Sequence, residues 1–390
     1  MSVIDGKKKY HINHKKLLLF LLLILLFCLG TTHEAKAGTL AEPEKAIDYS
    51  ELQDVIGDVL GKGNEFDFQG YIEKLMNGEE PFSLSAIAKT FLDAVKGEIK
   101  ANMGTFGSLI TIGLIAALFT NLSIAFRNSQ VSETGYYVTY LLLFGLLIGS
   151  FITASRIASA ALGNVLDFMR ALAPAYFMSV AFTTGSATSM MYYEATLMMI
   201  TLVDFLIIKV IIPMINFYLV LVLANNLSKE DMLSKFADLF SSAIGWLLKS
   251  MLAAVIGFHT IQGLIVPVAD QLKRSVVIKA TEALPGIGDA LGGVTQTVLG
   301  TGILLKNAIG VAGLIVILTI IAVPLLKLIM ITIVYKVGSA IMQPISDKRF
   351  IECISASSKS AAMLLQSVFV GAVLFLISIT IAAVTTGRVG

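Results

Sequence analysis

Residues 195–224 read ATLMMITLVDFLIIKVIIPMINFYLVLVLA. The segment is thirty residues long and carries two charges, Asp204 and Lys209, and one proline, Pro213. Roughly 20 apolar residues suffice to cross a hydrocarbon core. With no water to satisfy its backbone, a crossing segment in a chain of this kind is a helix. Five further segments repeat the pattern, at about 104–126, 134–155, 250–268, 308–335 and 361–385. The expected fold is therefore all-α, a polytopic helical membrane protein with about six transmembrane helices.

Composition points the same way. Of 390 residues, 56% are hydrophobic and only 14% charged, against about 45–50% and about 25% in soluble domains. An ordinary soluble enzyme and a disordered chain are excluded. The formal net charge of +2 gives no basic footprint for nucleic acid, so membrane lipid is the expected surrounding.

Catalytic and metal chemistry find few residues to work with. The cysteines are Cys28 and Cys353, too few for a disulfide framework or a cysteine metal site. His11, His14 and His33 lie near the N-terminus, and His259 lies in a span, where it is either a packed, hydrogen-bonded residue or a proton carrier. There is no nucleophile set, no acid pair, and no phosphate loop with its Gly-Lys-Ser/Thr ending. The chain is expected to be no enzyme and to hold no cofactor or metal.

Residues 1–37 have the form of an export signal. Lys7, Lys8, Lys9, Lys15 and Lys16 precede an apolar run from Leu17 to Gly30, and Ala35-Lys36-Ala37 gives a small-x-small site. Cleavage after Ala37 and retention as a signal anchor are both open. Phe27 before Cys28 argues against a lipoprotein site. Residues 38–103 are acidic, with thirteen acids from Glu42 to Glu98 against six lysines. Leu52, Val55, Ile56, Val59 and Leu60 mark one amphipathic helix capped by Ser50, and Ile87, Phe91, Val95 and Ile99 mark a second over about 83–100. This small helical extension is expected to dock on the membrane domain, 104–390, or on a partner.

With residue 38 outside, six crossings place 127–133, 225–249 and 336–360 inside. These loops carry eight positive residues, and the outer segments carry seven, including Arg156, Arg170 and Lys306. The positive-inside rule barely favours this orientation, and a further crossing near 171–187 would reverse everything downstream.

The prolines suggest an internal duplication. Pro174 and Pro213 are 39 residues apart, as are Pro285 and Pro324, and the pairs are offset by 111. Each unit, at about 134–249 and 250–360, has a span, a proline-opened Gly/Ser/Thr-rich segment and a long proline-containing span. Residues 171–187 and 286–303 suit re-entrant or tightly packed short helices. Gly292, Gly293, Gly300 and Gly302 would allow close helix approach. Interrupted repeats of this type also occur in secondary transporters.

Charged residues inside spans are functional candidates by default. On an α-helix Asp204 and Lys209 stand about 140° apart, so each is expected to find its partner on another helix or in water. Lys327, three residues after Pro324, is expected to extend toward the interface. The candidate intramembrane polar and hinge residues are thus Asp204, Lys209, Lys327, Pro174, Pro213, Pro285 and Pro324.

Three stretches, FMRALAPAYFMSVAFTTGSATSMMYYEA (168–195), TEALPGIGDALGGV (281–294) and MQPISDKRFIECISAS (342–357), resemble the stage III sporulation protein AE family of endospore-forming bacteria. The resemblance covers essentially the whole chain. It implies a multi-pass protein of the mother-cell membrane surrounding the forespore. Its implied partners are the other stage III A-operon products: the ATPase AA, small membrane subunits and ring-forming AG and AH. It also implies the forespore stage II Q protein, in a channel-like or secretion complex needed for late forespore gene expression. The resemblance assigns no site residues. A stand-alone secondary transporter is the alternative function.

Overall fold

A computed structural model describes residues 47–60, 66–79, 103–112, 129–227, 231–282 and 288–387, together with a few positions between 96 and 118. Among the described residues every regular element is helical. The expected export signal (1–37), Pro285 and most of the helix expected at 83–100 lie outside them.

Two short helices come first, α1 (Ser50–Leu60) and α2 (Phe68–Met76). The predicted stripe of α1 is real: Leu52 and Ile56 are fully buried. At its start the Asp48 carboxylate accepts from the backbone N–H of Ser50, at 2.9 Å, and from the Ser50 side chain. Those bonds, the backbone N–H first, hold the Asp48 carboxyl below its ordinary range. Gln53 clips the two helices together, donating to the Phe66 carbonyl at 2.6 Å and accepting from the Phe68 N–H at 2.9 Å. Phe66 and Tyr71 pack 5.1 Å apart between ring centroids, and burial pushes the Tyr71 hydroxyl up to about 12. The pair docks on the membrane domain, α1 against the helix α3 and α2 against the helix α7 described next.

That domain comprises α3 (Ser129–Thr184), α4 (Ser186–Val203), a π-helical segment (Asp204–Ile211), α5 (Ile212–Leu227), α6 (Ser234–Glu282), α7 (Gly288–Met342) and α8 (Lys348–Gly387). They supply five helices long and apolar enough to cross a membrane. Of the first expected span, 104–126, the described part is mainly the short apolar helix Met103–Ile112.

Helix α8 is the axis of the bundle. It packs against α3, α5, α6 and α7 and is the most deeply buried of the five. Small residues permit this: Ala356, Ser357, Ser360, Ala361 and Ala372 are all buried. Two of its buried hydroxyls bond to carbonyls one turn back, Ser357 to Cys353 at 3.0 Å and Ser367 to Met363 at 2.9 Å, whereas Ser358 reaches across to the Thr332 carbonyl of α7 at 3.1 Å.

Helices α3 and α7 run antiparallel in close contact. A Cβ on Gly302 would lie 3.0 Å from Phe182 Cβ, one on Gly310 3.4 Å from Tyr176, and one on Gly313 2.7 Å from Leu172. Of the glycines expected at this contact, Gly302 is there and Gly300 faces open space. The separate short helices expected at 171–187 and 286–303 are instead continuous ends of longer ones. Residues 171–184 complete α3, with Pro174 inside it, and 288–303 begin α7. The chain reverses only at Gly185, whose φ of 95° lies in the region that glycine tolerates best. Residues 171–184 form no separate helix, because packing against α7 continues α3 through its proline.

The two ends of the bundle are clear from side-chain contacts. At one, the Tyr140 hydroxyl donates to the Leu223 carbonyl, and its ring lies 5.9 Å from Phe350. The beginnings of α3 and α8 therefore meet the end of α5. At the other end Lys306 Nζ donates to the Ala383 carbonyl at 3.0 Å, and His259 Nε2 lies 2.8 Å from Ser378 Oγ.

Candidate functional site

The predicted pair Asp204 and Lys209 opens this site, and here the structure corrects the sequence. Their charged atoms lie 3.5 Å apart, although α-helical geometry keeps residues five apart on different faces. The reason is local. Asp204–Ile211 is a π-helix, in which i→i+5 hydrogen bonds bring such residues into line. Ile212 N–H accordingly bonds to the Ile207 carbonyl. Pro213 follows at once and has no N–H for the Lys209 carbonyl; a π adjustment is one way a membrane helix absorbs that loss. The proline, the wider turn and the ion pair are thus one feature.

Lys209 faces outward, its side chain 64% exposed, while Asp204 is 25% exposed. Phe205 and Phe217 share the outward face. Pro324 and Pro174 lie inside unbroken α-helix. Lys327 sits half-buried on α7.

A second polar region lies at the end marked by Tyr140. An open cleft of about 690 Å³ between α5, α6 and α8 is lined by Tyr218, Asn225, Asp238, Glu352 and Lys359. Lys359 Nζ stands 5.1 Å from the centre of the Tyr218 ring, a cation–π contact. The turn leading into α6 is tied to the cleft: Asn225 donates to Asp231 at 3.0 Å and accepts from the Leu233 N–H at 2.7 Å. Hydrogen bonds from Ser234 and Asn225 hold the Asp231 carboxyl below its ordinary range. Each of these charges belongs to an amphipathic segment that reads as an inner loop, and only the packing of three helices makes them one cleft.

Sequence reasoning missed Lys306. Assigned to an outer loop, it is fully buried in α7, with its ammonium at the C-terminal turns of α8. Helix carbonyls there carry partial negative charge and attract cations. His259 is the packed, hydrogen-bonded residue of the two alternatives, bonded to Ser378. Among the described residues no three His, Cys, Asp or Glu side chains converge as a metal site.

The sequence profile of a family described as stage III sporulation protein AE matches residues 66–386, from the start of α2 to the last turn of α8. The chain belongs to the stage III sporulation protein AE family. It is similar to the stage III sporulation protein AE of Bacillus subtilis (strain 168), with 25% identity over 321 residues, 82% of this chain and 80% of the relative. No solved structure matches it. Within this family, then, α2 and the whole five-helix bundle lie in the matched region, whereas α1 precedes it. In this member of the stage III sporulation protein AE family the fold is that of a multi-pass helical membrane protein, with the small α1–α2 pair docked on it.

Proposed function

We propose that this chain is the membrane subunit, a channel or export-platform component, of a secretion or feeding complex joining mother cell and forespore. Membership of the stage III sporulation protein AE family carries the proposal. Its partners are then the ATPase AA, the small membrane subunits and ring-forming AG and AH of the same operon, with the forespore stage II Q protein. Its place is the mother-cell membrane around the forespore, and its role is non-catalytic.

The end marked by Tyr140 faces the cytoplasm in this proposal. Five traverses from residue 129 then bring the C-terminal turns of α8 outside, with the acidic α1–α2 pair on the exported side. The two proline-spaced units, about 134–249 and 250–360, are a duplication within the bundle. The open cleft at the cytoplasmic end supports a subunit that meets soluble machinery. Deleting the gene should halt forespore development, and the tagged chain should co-purify with the other A-operon products. Normal spores from the deletion strain would refute the proposal.

The alternative, a stand-alone secondary transporter, places Asp204 and Lys209 on an interior path. The outward exposure of Lys209 counts against it. Solute flux in vesicles holding this chain alone, abolished by Asp204→Asn, would reverse that judgement.

A further inference from the structure

The cleft between α5, α6 and α8 has a mouth and a floor. Along α8, Glu352 stands at the opening and Lys359 lies about 10 Å deeper, at 1.5 Å per residue. Helix α5 runs the other way, with Asn225 near the opening, tied to the turn before α6, and Tyr218 two turns in, under Lys359. On α6, Ser234 is in the first turn and Asp238 one turn beyond it. Lys359 and Tyr218 therefore make the floor, and Asp238 belongs to the helix that faces them. Val222, Ala237 and Ala356 supply the apolar lining.

Two opposite charges in this cleft are not paired with each other. Lys359 is seated over the Tyr218 ring, 5.1 Å from its centre, and the ring occupies one side of the ammonium. Asp238 is near enough for its charge to act on both Lys359 and the Tyr218 hydroxyl. Among the described residues, however, no salt bridge joins Asp238 to Lys359 or either of them to another charge. The other acids nearby are engaged: Lys348 holds Glu352 at 3.7 Å, and Asn225 and Ser234 hold Asp231. What remains for a ligand is one cation and one carboxylate, on facing helices of an open cleft of about 690 Å³.

That pattern matches a dipolar molecule. An anion alone would meet Lys359 but also face Asp238, and a cation alone would meet Asp238 but also face Lys359; like charges set against each other select against such partners. A zwitterion satisfies both walls. The volume lies in the ~300–1,000 Å³ range of small-molecule sites, where a few polar groups orient a ligand against an apolar lining.

We propose that this cleft binds a small zwitterion of the α-amino acid class, with its carboxylate on Lys359 and the Tyr218 hydroxyl, its ammonium on Asp238, and its side chain against Val222, Ala237 and Ala356. The inference goes beyond the intercellular complex and does not rest on it, because every group in the site belongs to this chain. Along the sequence these residues are a span tyrosine and two charges of separate inner segments, and nothing there joins them.

Three probes with one branched body test the charge pattern. L-Leucine carries both charges, 4-methylpentanoate the carboxylate alone and 3-methylbutylamine the ammonium alone. Each is titrated by calorimetry against the full-length protein in nanodiscs. Leucine should bind saturably, and each single-charge analogue about tenfold more weakly or worse. Lys359→Gln and Asp238→Asn, on different helices, should each weaken leucine by about tenfold or more. Tyr218→Phe should weaken it by a smaller factor. The unfolding midpoint without probe shows which variants fold, and Asp238→Asn decides the matter if Lys359→Gln does not. Absence of saturable leucine binding to the parent up to about 10 mM would overturn the proposal. So would an analogue with one charge that binds as tightly as leucine, or an Asp238→Asn variant that keeps the parent's affinity.

Discussion

Asp204 and Lys209 form an ion pair of 3.5 Å across a π-helical turn that ends just before Pro213. The pair exists only because the backbone there abandons α-helical spacing. A proline without an N–H, a wider turn and a charge contact are mechanically coupled, and each can be altered separately.

Replacing Pro213 by alanine restores the missing N–H donor. Asp204–Ile211 should then relax toward α-helix and separate the two charges. A double-mutant cycle with Asp204→Asn and Lys209→Met should give a coupling of about 0.5–1 kcal/mol in the parent, given the exposure of the pair. In the Pro213→Ala background that coupling should vanish. Thermal unfolding in detergent measures both, and an unchanged coupling would detach the proline from the pair.

Gly371 is where three helices converge. A Cβ there would collide with Leu162 Cδ2 and lie 3.3 Å from Ile207 Cδ1, and both side chains are fully buried. Gly371→Val should destabilise the bundle by about 1–3 kcal/mol. Adding Leu162→Ala should recover part of the loss by vacating the space, as read by the midpoint of thermal unfolding.

Lys306 holds the last turns of α8. Lys306→Met retains the packing and loses the hydrogen bond to the Ala383 carbonyl, about 1 kcal/mol. Lys306→Glu sets a buried carboxylate against helix carbonyls and should cost about 3–5 kcal/mol. Protease cleavage near Ala383 should rise steeply in the glutamate variant and little in the methionine one.

Gln53 makes two hydrogen bonds between α1 and α2. Gln53→Ala leaves the Phe66 carbonyl and Phe68 N–H without it, at about 1–3 kcal/mol. Limited proteolysis between α1 and α2 should accelerate while the membrane helices stay protected. Equal proteolysis of both regions would mean that the pair and the bundle unfold together.

Asp231 ties the turn before α6 to Asn225. Its carboxyl titrates below its unfolded value, so the stabilisation is present above that value and lost as pH falls through the lower, folded one. Amide exchange at the start of α6 should therefore quicken on acidification in the parent. The Asp231→Asn variant should lack this dependence.

The sequence alone determined the class of this protein. Runs such as 195–224 can satisfy their backbone groups in lipid only as helices, and that requirement is local. It also determined the apolar stripe of α1, because burial on one side writes itself at helical spacing. The partnerships were decided elsewhere. Asp204 and Lys209 meet because a proline two residues beyond the π-helical segment changes the turn between them, which an assumption of uniform α-helix cannot reveal. Residues 171–184 look like a separate segment because Gly, Ser and Thr interrupt the apolar pattern; packing against Gly302, Gly310 and Gly313 makes them part of α3. Lys306 reads as a loop cation until α8 brings its carbonyls alongside. Hydrophobic burial is encoded along a single helix, whereas contact and depth depend on how separate helices lie against one another, and that tertiary arrangement is what decided the site.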